Sequence, residues 1–94
     1  MLTIALDYDG TYTADKEMWN VFIHQATLRG HEVIVATMRY EATEGEDVKR
    51  DLEANVSRII FTERKAKKAA VRMAYKDPDI WIDDNPEWLF EDAL

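Results

Sequence analysis

The sequence predicts a single α/β domain of three layers, with a parallel sheet of about four strands between helices. Two observations carry that prediction. Four short apolar runs, at residues 2–6, 32–37, 58–62 and 79–83, alternate with segments of helical periodicity in the order βαβαβαβα. The runs are also too continuously apolar for strands with one wet face, so both faces need cover, which right-handed crossovers provide. Ninety-four residues, 47% of them hydrophobic, suit one core and not two, so residues 1–94 are read as one domain.

The first run, Leu2, Ile4, Ala5 and Leu6, fits a strand buried on both faces, and Asp7 is the first carboxylate to emerge from it. Trp19, Phe22, Ile23 and Ala26 then recur at helical spacing. Thr13 or Asp15 can cap that helix and Gly30 can end it, which places it over about residues 15–29. The β-branched run EVIVAT, residues 32–37, is the second strand. In TEGE, Thr43 and Glu46 have the spacing of a capping box, with Val48, Leu52 and Val56 as the inner face of a second helix. RIIFT, residues 58–62, is the third strand. A third helix is expected over about residues 63–75, with Ala66, Ala69, Ala70, Met73 and Ala74 facing the sheet and basic residues facing water. DIWID, residues 79–83, is the fourth strand, and Asn85, Pro86 and Glu87 suit the start of a short closing helix.

Charge and composition narrow the partners. With 19 acidic and 12 basic residues the formal charge is -7, which argues against general nucleic-acid binding or an anionic membrane surface. There is no cysteine, hence no disulfide or thiolate metal site. No secretory leader pattern or spanning apolar run is visible, so a cytoplasmic location without membrane association is the expectation. His24 and His31 lack ligand spacing. Trp19, Phe22, Phe61 and Trp81 read as core, whereas Trp88 sits in too short a segment to show a face.

The polar residues at strand ends are the candidates for function, because open α/β sheets place ligands beyond the carboxyl ends of their strands. Asp7 and Asp9 follow the first strand and project the same way, with Gly10 giving the backbone freedom that the close turn needs. Thr37 ends the second strand, Asp83 and Asp84 end the fourth, and Lys65, Lys67 and Lys68 lie at the start of the third helix. Such a collection is a place for a cation, a nucleophile, or both, since carboxylates can attack an electrophile or hold a hard cation.

DYDGT, Thr37 in IVATMR, a lysine in RKAKK and the acidic pair in IDDNP resemble, in order, the four motifs of the haloacid dehalogenase-like (HAD) superfamily. The match spans Asp7 to Asp84, and it implies a Rossmann-like sheet of order four, one, two, three. It further implies a Mg²⁺-dependent phosphomonoesterase acting through an aspartyl-phosphate. On this resemblance Asp7 is the nucleophile, Asp9 the general acid and base, Thr37 the hydroxyl donor and Lys67 the site lysine, with Lys65 and Lys68 as alternatives. Asp7, the Asp9 carbonyl and Asp84 would hold the metal, with Asp83 outside them or exchanged with Asp84. Gly10, Thr11 and Arg39 fall to the phosphorylated substrate.

The intervals between motifs leave no room for a cap domain, so an open site is expected, fitting a large substrate such as a protein or a nucleic-acid end. Minimal uncapped relatives of this kind occur among bacteriophage-encoded proteins. A polynucleotide phosphatase and a weakly active metal- or partner-binding domain are the alternatives to a general phosphatase. The fifth strand common in relatives is missing from the pattern, which leaves a sheet edge free for self-association into a homo-oligomer.

Overall fold

A computed structural model describes residues 1–93 of the chain. Strands β1 (Thr3–Leu6), β2 (Glu32–Thr37), β3 (Arg58–Phe61) and β4 (Ile80–Ile82) form one sheet of order β3-β2-β1-β4. Every pairing is parallel, as the βα alternation predicts. The registers Ile4↔Val33 and Leu6↔Val35 align one face of the sheet, and Ala5↔Ile34 aligns the other.

Helix α1 (Lys16–Leu28) and the consecutive short helices α2 (Glu41–Glu44) and α3 (Glu46–Leu52) follow the first two strands. Ile23 and Ala26 of α1 join Val48 and Leu52 of α3 over Ile4, Leu6, Val33 and Val35. Helix α4 (Lys67–Ala74) covers the opposite face, where Val71 meets Ala5, Ile34 and Ala36. Three layers result, because alternate residues of the central strands β1 and β2 need apolar cover on opposite sides.

Helix α1 follows its sequence signals. Asp15 is its cap, accepting from the Met18 N–H at 3.1 Å, and Gly30 ends it with φ of +82°. Thr13 instead accepts the Gly10 N–H at 2.9 Å. Trp19 and Phe22 pack edge to face against the core, with ring centroids 5.6 Å apart.

The second helix departs from expectation. Gly45 separates α2 from α3, so Thr43 lies inside α2 and makes no capping box with Glu46, while Val56 packs on the core from the turn beyond α3. The outer strands also differ from the reading of four strands buried on both faces. As sheet edges, β3 and β4 leave Arg58 and Ile80 exposed. The closing segment is one 3₁₀ turn, Pro86–Leu89, with Leu89 buried.

The largest correction concerns α4. It begins at Lys67 rather than near residue 63, because Glu63 and Arg64 adopt left-handed backbone, φ +53° and +70°. Its buried residues are Lys67 and Val71, whereas Ala69 and Ala74 are exposed and Met73 is 86% exposed. Lys67 turns inward because two carboxylates wait beneath it, and the helical period then places Val71 beside it and Met73 on the far side.

A second acid, Glu32, is held at the amino end of the sheet. Its carboxylate accepts from Thr3 Oγ1, Ser57 Oγ and the Tyr75 hydroxyl, and these hydrogen bonds keep it below the usual carboxylate range despite its partial burial. That cluster is a structural clasp. His31 lies nearby, its Nδ1 accepting the Leu2 N–H at 2.9 Å.

This packing sets a contrast between two residues of similar hydropathy. Leu52→Ala should lower the free energy of unfolding by about 2–5 kcal/mol, and Met73→Ser should stay within about 0.5 kcal/mol of wild type. Urea unfolding measures both, and equal losses would contradict the orientation of α4.

Candidate active site

Asp7 is the first residue beyond β1, and its N–H still donates to the Ile82 carbonyl at 2.9 Å. The chain then folds back sharply. Tyr12 N–H reaches the Asp7 carbonyl at 3.3 Å, and Tyr8 and Tyr12 stack in the core with centroids 5.7 Å apart. Gly10 takes φ of +84° in this turn, and a Cβ there would lie 2.5 Å from Asp84 Oδ2. Glycine is therefore required twice, for its backbone angle and for the approach of Asp84.

Because β1 and β4 are neighbours, Asp7 and the Asp83–Asp84 pair meet at one end of the sheet. Lys67 lies between them, its Nζ 2.6 Å from Asp7 Oδ1 and 2.6 Å from Asp83 Oδ2, with all three side chains buried. Asp83 Oδ1 accepts the Asn85 N–H at 3.0 Å. Thr11 joins Asp7 to Asp84: its hydroxyl oxygen is 3.0 Å from Asp7 Oδ2 and from Asp84 Oδ1, and it accepts the Asp84 N–H at 3.1 Å. Carboxylate oxygens of Asp7, Asp83 and Asp84 lie within 4.8 Å of one another.

Three carboxylates thus face one ammonium, and full ionisation leaves an excess of two negative charges. Burial pushes the Asp7 carboxyl up to about 7, against the attraction of Lys67 and with the help of Asp84 and Asp83. Asp7, which can donate to Asp84 when protonated, and the Thr11 hydroxyl together hold Asp84 below the usual range. A hard divalent cation fits this donor set, which is all oxygen and short of two positive charges.

Asp7, Lys67, Asp83 and Asp84 line a cleft of about 260 Å³ together with Asp9 and Thr37. Thr37 is buried, and its Oγ1 accepts the Arg39 N–H at 3.3 Å, which leaves the hydroxyl hydrogen to donate elsewhere. Asp9 is more exposed, and Arg39 grips its carboxylate with two hydrogen bonds, Nε–Oδ2 at 3.0 Å and Nη2–Oδ1 at 2.8 Å. Arg39 is itself fixed by the Glu44 carbonyl at 2.9 Å and lies over the Tyr8 ring. It faces a neighbouring cleft, not the one around Asp7.

Of the three lysines, Lys67 alone reaches the carboxylates; Lys65 is exposed and Lys68 half-buried. Sequence reasoning missed Arg64, which lines both clefts. Its guanidinium bonds the Met38 carbonyl and the Glu44 carboxylate, and its own carbonyl accepts the Ala93 N–H at 2.7 Å. No glycine or motif marks the left-handed turn that puts it there. Trp88, whose face the sequence left open, also lines the cleft around Asp7, as does Asn85.

No protein-family model matches the chain, and no curated protein or solved structure matches it. Among the described residues, no helix is long and apolar enough to cross a membrane.

The raised Asp7 carboxyl has a signed consequence for the metal-free protein. Between the unfolded value, near 3.8, and the folded value, about 7, the folded state binds more protons, so this group removes stability as pH rises. The stability of Asp7→Asn relative to wild type should therefore grow from about pH 4 to about pH 7 and then level off. Thermal melts in chelator measure the difference, and a constant or shrinking difference would contradict the burial of an ionisable Asp7.

Proposed function

We propose that the chain is a Mg²⁺-dependent phosphomonoesterase of the HAD type. The observation that carries this reading is the buried Lys67 between Asp7 and Asp83, in a cleft that also presents Asp9 and Thr37. Asp7, Asp84 and the Asp9 carbonyl would hold the cation, with Asp83 behind them. When bound, it would offset the excess negative charge and polarise the phosphoryl group.

The protein groups then divide the work. An Asp7 oxygen attacks phosphorus, the bond to the leaving oxygen breaks, and that oxygen takes a proton from Asp9. Lys67 and the Thr37 hydroxyl offset the charge on the equatorial phosphoryl oxygens. In the second half Asp9 accepts a proton from water, which attacks phosphorus and releases phosphate and the Asp7 carboxylate. The Thr11 hydroxyl holds the Asp7 and Asp84 carboxylates in register.

One observation favours the weaker alternative of a metal-binding domain with little turnover. Asp9 is clasped by Arg39, and a carboxyl so held must be released before it can donate a proton.

Hydrolysis of p-nitrophenyl phosphate with and without Mg²⁺ tests the proposal. Wild type should require the metal, and Asp7→Asn should lose activity on the order of a thousandfold or more. Activity that survives in Asp7→Asn, or that ignores chelation, would remove the mechanism.

A further inference from the structure

A second cleft, of about 430 Å³, adjoins the first and shares Asp9 and Arg64 with it. Of the proposed nucleophile, hydroxyl, lysine and acid, only Asp9 borders both spaces. In-line displacement sets the leaving oxygen opposite Asp7, and the proton it receives comes from Asp9. The second cleft is therefore where the leaving group extends, an assignment that rests on the phosphatase reading above.

The lining of this cleft defines what it accepts. Besides Asp9 it consists of Arg39, Thr43, Glu44, Glu46, Asp47 and Arg64, with no aromatic or aliphatic side chain among them. Both guanidinium groups are already matched, Arg39 by Asp9 and Arg64 by Glu44, so four carboxylates face two satisfied cations. A polynucleotide would bring further phosphates to a wall where four carboxylates outnumber two guanidinium groups, and its bases would find no aromatic ring in the lining to stack on. Hydroxyl groups suit the wall, since each can donate to a carboxylate and accept from a guanidinium or from Thr43. The volume lies in the range of small-ligand sites.

We infer that the substrate is the phosphate monoester of a small, hydroxyl-rich leaving group of the sugar or polyol class. This narrows the expectation of a large substrate that the uncapped architecture raised.

The test compares a hexose phosphate, a polyol phosphate, a terminally phosphorylated oligodeoxynucleotide, a phosphotyrosine peptide and p-nitrophenyl phosphate, all with Mg²⁺. The sugar and polyol esters should exceed the oligonucleotide and the peptide by about tenfold or more in kcat/KM. Arg64→Ala, and Glu46→Gln at an exposed position that leaves the fold undisturbed, should each reduce that ratio about fivefold or more. Preference for the oligonucleotide or the peptide, or a ratio unchanged in Glu46→Gln, overturns the inference while hydrolysis of p-nitrophenyl phosphate still upholds the phosphatase. Absence of Asp7-dependent hydrolysis of every ester overturns both.

Discussion

The ammonium of Lys67, buried between Asp7 and Asp83, is the interaction on which the rest of the site depends. Removing such charges from water costs several kcal/mol per ion, and an uncompensated partner left behind costs about 3–5 kcal/mol. The arrangement is stable only as a set. Yet the set is unbalanced, because Asp84 adds a third carboxylate to one cation; burial, helped by the neighbouring carboxylates, raises Asp7, and the excess negative charge keeps the cluster receptive to positive charge. A structural ion pair would have closed this account locally. Glu32 shows that alternative at the other end of the same sheet, where three hydroxyl donors and the Lys76 ammonium at 3.6 Å satisfy a single carboxylate.

The fold delivers the cluster through three local devices. Adjacent parallel strands β1 and β4 bring Asp7 and the acidic pair together. Gly10 lets the first loop close against Asp84. The left-handed Glu63 and Arg64, a conformation that costs of order 1–3 kcal/mol at each such residue, delay the start of α4 so that its first residue is Lys67. That turn is pinned by the Arg64 N–H to the Met38 carbonyl at 3.0 Å, by the Ala93 N–H to the Arg64 carbonyl and by Asp92, which accepts the Ala66 N–H at 2.7 Å. The same backbone that seats the lysine sends Arg64 to the boundary of the two clefts.

Most of the fold was legible because burial on both faces writes a continuous apolar run, as in TIAL and EVIVAT, and helical cover writes a period. The sheet order came from the family resemblance and agrees with the structure. Legibility ended where polar interactions override pattern. A lysine facing the core inverted the apparent face of α4, a glycine split the second helix at an apparent capping box, and two ordinary residues adopted a turn that neither announces. Asp7, Asp9, Thr37, Asp83 and Asp84 could be gathered from strand ends, and Lys67 from a helix start that offered three lysines. The grip of Arg39 on Asp9 and the second cleft could not, since both depend on where the short helices α2 and α3 settle.

The proposed role of Asp7 as nucleophile within this charge-imbalanced cluster is tested most directly by a covalent measurement. Wild-type protein turning over a phosphomonoester with Mg²⁺ can be quenched in acid and mapped by peptide mass spectrometry. An acyl-phosphate is expected on the peptide carrying Asp7, absent without metal and absent from Asp7→Asn. Turnover with no acyl-phosphate at Asp7, or with the phosphoryl group on another residue in Asp7→Asn as in wild type, would contradict that role.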